Sequence, residues 1–128
     1  MVIAPTLRQA AEAATDQLMR DVRGVKAVLI STEDGFEVSA RVENTAQVAR
    51  LSAMASSLAA LGAMAGEESQ LGTCNSLVME ASEGFIAIIQ VRCPEMSLIL
   101  SVVAGTHAVI GQVLYFSKQA ARMIEAAA

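Results

Sequence analysis

The sequence predicts an α/β domain: a single five-stranded, mainly antiparallel sheet with helices on both faces, in the order α-β-β-α-β-β-β-α. Three observations predict it. Three segments carry apolar residues at helical spacing, and two pairs of β-rich runs are joined by tight-turn residues. No linker, repeat or low-complexity tract interrupts the 128 residues. Strands joined by hairpins run antiparallel, and the helices must cover the faces of the sheet they form. Residues 1–128 therefore read as one domain.

The first helix is expected from Thr6 to Val22. Thr6 and Gln9 fit a capping box. Leu7, Ala11, Ala14, Leu18 and Val22 recur along one helical face, and Gly24 follows as a stop signal. Next, VKAVLIS and FEVSARV flank Asp34-Gly35, a hairpin turn in which the glycine tolerates positive φ. Phe36, Val38 and Ala40 alternate with Glu37, Ser39 and Arg41, so the second strand should have one wet face. Asp34 reads as a turn residue. Asn44 and Gln47 resemble a second capping box, opening a long helix that runs to about Gly66. SLVMEA and FIAIIQV form a second hairpin turned by Ser82, Glu83 and Gly84. Pro94 separates it from a fifth strand, MSLILSVVA. Thr106 is a candidate N-cap for a last helix over about 107–125. On that helix Val109, Val113, Phe116, Ala120 and Met123 form one apolar stripe, and Ile110, Leu114, Ala121 and Ile124 a second.

Composition narrows the function. Nine basic residues stand against thirteen acidic ones, for a net charge of −4, and the basic ones are scattered. Nucleic acid and anionic membrane surfaces are poor partners for such a chain. Apolar residues make up 54% and charged residues 17% of the sequence. A domain this small cannot bury that much, so some apolar surface should meet a second copy or another protein. The N-terminus lacks the pattern of a signal peptide, and the expected location is cytoplasmic. Cys74 and Cys93 read as two free thiols of a reducing compartment. With His107 the sole histidine, they fall short of the four ligands of a structural zinc site.

The long helix carries the sharpest signal. Residues 51–66, LSAMASSLAALGAMAG, hold no charge. On a helical wheel Leu51, Ala55, Leu58, Gly62 and Ala65, flanked by Val48, Met54 and Leu61, gather on the side expected to lie on the sheet. The opposite side carries Ala49, Ala53, Ser56, Ala60 and Ala63, with Ser52 and Ser57 on its flanks. Small residues at that spacing let another helix approach to roughly 8 Å between axes. Gly62 and Gly66 form GxxxG, a motif of spanning helices. Arg50, Glu67 and Glu68 bracket the stretch, however, and Ala and Ser give little insertion energy, so no membrane insertion is expected.

Catalytic chemistry is not visible. Neither GxxxxGK[ST] nor GxGxxG occurs. A Ser-His-Asp set could use only His107. Glu33, Asp34, Glu37 and Glu43 cluster in sequence, but the turn and the strand alternation disperse them. Cys74 has no activating neighbour in sequence. No cofactor or metal is expected, and the chain reads as a non-enzyme.

The element order and several local patterns resemble the Roadblock family, the dynein light-chain Roadblock type and its bacterial relatives. GVKAVLISTEDGFEVSA (24–40) is similar to the family's opening hairpin. VARLSAMASSLAALGAMAGEE (48–68) is similar to its alanine-rich central helix. EGFIAIIQV (83–91) and LILSVVAGTHAVIGQV (98–113) are similar to the strands and last-helix start that follow. The resemblance implies a profilin- or longin-like fold. It implies a homodimer that pairs central helices and joins edge strands into one sheet. It also implies binding or regulation of a small Ras-like GTPase, or a scaffold role, with no catalytic residues. By position the dimer surface would be Ala49, Ala53, Ser56, Ala60 and Ala63, with Ser76 and Val78 on the edge strand Ser76–Ala81. The GTPase would meet Arg50 and Met64, where Arg50 reads as a surface contact more readily than as an arginine finger. Two other readings are a structural assembly module without a GTPase, and a ligand-sensing domain. The few aromatic residues (Phe36, Phe85, Tyr115, Phe116) weigh against the last.

Overall fold

A computed structural model describes residues 2–128, with Thr45 described by its backbone alone. The elements are α1 (Pro5–Asp21), β1 (Val25–Thr32), β2 (Glu37–Arg41), a 3-10 turn (Thr45–Gln47), α2 (Val48–Glu68), β3 (Ser76–Ala81), β4 (Gly84–Arg92), β5 (Ser97–Gly105) and α3 (Ile110–Ala127). The expected order and the expected five-stranded sheet are both present. The strands lie in the order β2-β1-β5-β4-β3, and every neighbouring pair is antiparallel. The central strands β1, β5 and β4 are covered on both faces, so they read as nearly continuous apolar runs.

The two faces are covered unequally. On one, α1 and α3 bury a large core that includes Leu7, Leu18, Ile30, Val91, Leu100 and Ile124. On the other, α2 alone packs a small cluster of Ala55, Ala59, Ile88 and Ile99. One helix is about 10 Å wide and five strands span about 19 Å between the outermost two, so part of this face stays uncovered.

Several local expectations are corrected. Helix α1 has no capping box: Ala4 is its N-cap and Pro5 opens it, with the ring pre-setting φ where no N–H is needed. Asn44 accepts a bond from the Ala46 N–H (3.0 Å), capping the 3-10 turn, and α2 itself has no side-chain cap. Thr106 caps nothing. It lies in a turn closed by the Ala108 N–H and the Gly105 carbonyl, and α3 starts only at Ile110 with Val109 as N-cap. The buried seam of α3 runs between the two expected stripes, through Val113, Ser117, Ala120, Ala121 and Ile124, and leaves Val109, Phe116 and Met123 exposed.

The alternation of β2 is broken: Val38 is buried in the main core as expected, but its neighbour Ser39 is buried too. A bulge shifts the β1–β2 register between Ile30 and Ser31. Phe36 is left exposed, and Ser39, opposite Ile30, points at α1. There its hydroxyl donates to Thr15 Oγ1 (3.0 Å), which donates to the Ala11 carbonyl (2.8 Å). The polar residues of β2 thus fasten it to α1, helped by Arg41 on Asp16 (2.7 Å) and Arg8 on the Val38 carbonyl (2.9 Å). Thr15→Val should strand the buried Ser39 hydroxyl and cost about 1–3 kcal/mol in urea unfolding. Adding Ser39→Ala to it should recover most of that loss.

Candidate interaction surface

Helix α2 forms because alanine dominates it, and alanine gives up no side-chain entropy on entering a helix. Its buried stripe is Val48, Ser52, Ala55, Ala59 and Gly62. This stripe is rotated by roughly 60° about the helix axis from the one expected on the sheet, with Ala55 and Gly62 common to both. Small side chains, not leucines, face the strands, so the helix lies close. Ser52, expected on a flank, is buried. A Cβ at Gly66 would collide with the Gly72 carbonyl, and one at Gly62 would come within 3.0 Å of Cys74 Sγ. GxxxG therefore serves close contact with this chain's own α2–β3 loop.

The rotation gives α2 two different exposed flanks. The small-residue flank faces the β1–β2 hairpin. Ala53 lies against Gly35, and the Ser56 hydroxyl donates to the Glu33 carbonyl. Ala49, Ala60 and Ala63 on that flank are exposed. The large-residue flank carries Met54, 52% exposed, and Leu61, 59% exposed, with Leu51 and Leu58 half-buried beside them. Leu51, Met54 and Leu58 of this flank, with Leu29, Met79, Ile86 and Val103 of the sheet face and Val42 just after β2, line an apolar cleft of about 210 Å³. Its one polar lining residue is Ser101. Arg50 and Met64 are exposed on the crest of α2, away from the sheet.

Strand β3 is the free edge next to this cleft. Arg92 steadies its start: its guanidinium donates to Asn75 Oδ1 (3.0 Å) and to the Cys74 carbonyl (3.1 Å). Its backbone N–H donates to Glu125 on α3 (2.7 Å). Ser76 and Val78 are half-buried on β3, within reach of a second strand.

The sequence places Met54 and Leu61 beside the sheet, whereas both are exposed, as is Met79 on β3. The available signal was the glycine pair: Gly62 and Gly66 mark the side of closest approach, which this chain's own α2–β3 loop occupies.

Cys74 and Cys93 are both free. Burial first, and then the Glu125 carboxylate, push the Cys93 thiol above its ordinary range, which keeps it protonated and a poor nucleophile. Among the described residues no group of three His, Cys, Asp or Glu side chains could hold a metal ion. Helix α2 is long and apolar enough to cross a membrane by length and composition, with 28% of its apolar window buried on the sheet.

The sequence profile of the Roadblock/LC7 domain matches residues 12–101. No curated protein matches the chain in sequence. Among solved structures, the chain is similar to a Roadblock/LC7 domain from Streptomyces avermitilis, at 19% identity and a TM-score of 0.81, over 90% of this chain and 94% of that one. It is similar to the gliding protein MglB from Thermus thermophilus, at 15% identity and a TM-score of 0.84, over 100% and 95% of the two chains. It is also similar to Myxococcus xanthus MglB, at 14% identity and a TM-score of 0.83, over 98% and 92%. At these identities the likeness is one of fold, and the profile match covers more than half of the sequence. The chain belongs to the Roadblock/LC7 family.

Proposed function

We propose that this protein is a non-enzymatic, homodimeric regulator or scaffold for a small Ras-like GTPase. The observation that carries the dimer is the apolar cleft beside an unpaired edge strand. Met54 and Leu58 line it on α2, Met79 lines it from β3, and Leu61 is exposed about one helical turn beyond Leu58. A second copy turned about a two-fold axis beside β3 would lay its own α2 toward this cleft. The helix pairing implied by the family then uses the large-residue flank. Ala49, Ala53, Ser56, Ala60 and Ala63 stay on the outer side, next to the β1–β2 hairpin. This moves the helix contact off the residues expected from the wheel. Ser76 and Val78 keep their place at the joined edge.

Arg50 and Met64, on the crest of α2, are the proposed contacts for the GTPase. The test is co-purification with the small GTPases of the same genome, loaded with GDP or GTP. One of them should bind in a nucleotide-dependent way, and Arg50→Ala with Met64→Ala should weaken it at least tenfold. Failure of every GTPase to bind or to change its hydrolysis rate would leave the structural assembly module as the better reading.

A further inference from the structure

Ser101 is polar at a place where packing alone asks for an apolar residue. It sits on the central strand β5, opposite Leu29 of β1 and Ile88 of β4, with its side chain on the α2 face. It is 6% exposed, and among the described residues its hydroxyl has no hydrogen-bond partner. Ser31 and Ser52 share that condition, but neither lines the cleft. Ser101 does, as the one polar residue in its wall. A buried hydroxyl left unpaired is costly. A single polar group cannot settle a water either, since a buried water takes about two to four polar partners. Met54 and Met79 give the cleft side chains that repack around a guest and make favourable contacts with aromatic rings. The cleft also has its own way out. It shares Ala27, Val42, Leu51 and Val103 with a wider groove that opens past Lys26 and Glu43, beside the end of β2 and at the opposite edge of the sheet from β3.

We propose that this cleft binds an uncharged, mostly apolar small molecule with one hydrogen-bonding atom, which pairs with the Ser101 hydroxyl. Volume sets the size of the guest. An apolar cavity of about 150 Å³ takes benzene, so 210 Å³ has room for about eight or nine non-hydrogen atoms. The lining sets its charge. None of the residues around the cleft is ionisable, so a carboxylate or an ammonium group would enter without a counter-ion. An apolar wall with one placed polar group orients its ligand by that group. The site goes beyond the regulator reading and does not need a second copy. The proposed dimer brings a helix from the β3 side, whereas the guest enters between Ala27 and Val42. Bound there, it adds apolar contact beneath Met54 and Leu58, on the face of the sheet that α2 alone covers, and stabilises the fold by mass action.

Indole matches this size and carries one N–H, and indene has the same shape without it. The experiment titrates both into the full chain, read by calorimetry and by the NMR signals of the methionine methyl groups. Indole should bind with a Kd of about 0.1–1 mM, about fivefold more tightly than indene. The Met54 and Met79 methyl signals should shift, and those of Met64 and Met123 should stay in place. Ser101→Ala removes the hydroxyl and leaves the wall apolar, so the two probes should then bind within about twofold of each other. A preference for indole that survives Ser101→Ala would overturn the role of the serine, and so would equal binding of both probes to the unaltered chain. Unmoved Met54 and Met79 signals up to the solubility limit of indole would overturn the site itself. A second variant, Ala27→Leu, fills the neck between the cleft and the outer groove. It should abolish binding of both probes with the circular dichroism spectrum unchanged, and undiminished binding would overturn this placement of the guest. These readouts do not depend on association, which light scattering follows separately.

Discussion

Gly84→Ala is expected to lower the stability of this domain by about 3–5 kcal/mol, and its Tm by roughly 10–20 °C. Gly84 opens β4 after the Ser82-Glu83 turn with φ at +146°, a conformation that a side chain strains. A Cβ there would also collide with the Ala104 carbonyl on β5. Relief would require moving β4 away from β5, where Phe85 pairs with Ala104 and Ala87 with Val102 in the middle of the core. Gly111→Ala is the control. The added methyl meets nothing within 4 Å, and alanine is the better helix former. It should be neutral or stabilising by up to about 1 kcal/mol. Urea unfolding of the two variants against the unaltered chain decides the matter. Equal losses at both positions would remove the close approach of β4 and β5 as the cause.

The second large effect is on assembly. Leu61→Glu is expected to raise the dimer dissociation constant by more than a hundredfold, the cost of an unpaired buried charge of about 3–5 kcal/mol. Ala60→Glu, one residue away and on the other flank, is expected to change it less than threefold. Analytical ultracentrifugation over a concentration series measures both. Loss of the dimer in Ala60→Glu and not in Leu61→Glu would return the contact to the small-residue flank. Leu61 is exposed in the isolated chain, so neither variant should disturb the fold.

The fold was legible because its signals are local and agree with one another. Asp34-Gly35 and the Ser82-Glu83-Gly84 turn stand between runs of branched and aromatic residues, and the strands SLVMEA and FIAIIQV appear nearly where their composition puts them. Details that depend on tertiary partners were harder to read. The bulge at Ile30 and Ser31 turns both Val38 and Ser39 inward, and no residue type announces it. The rotation of α2 was hidden by the habit of placing leucines inward. A sheet face crowded with Leu29, Ile88 and Ile99 leaves room only for alanine, serine and glycine beneath a close helix. The large side chains Met54, Leu61 and Met64 are thereby turned outward. An interface of this kind is legible only once the sheet beneath the helix is known.

The uneven covering of the sheet has a consequence for how the protein behaves as its amount varies. In the proposed dimer, the side held by α2 gains much of its shielding from the other subunit, so folding and association are linked by mass action. Melting should then shift upward with concentration, and a dilute cell would hold a chain whose α2 side is its weakest part. The quantity of protein made would itself set how much competent surface is offered to a partner.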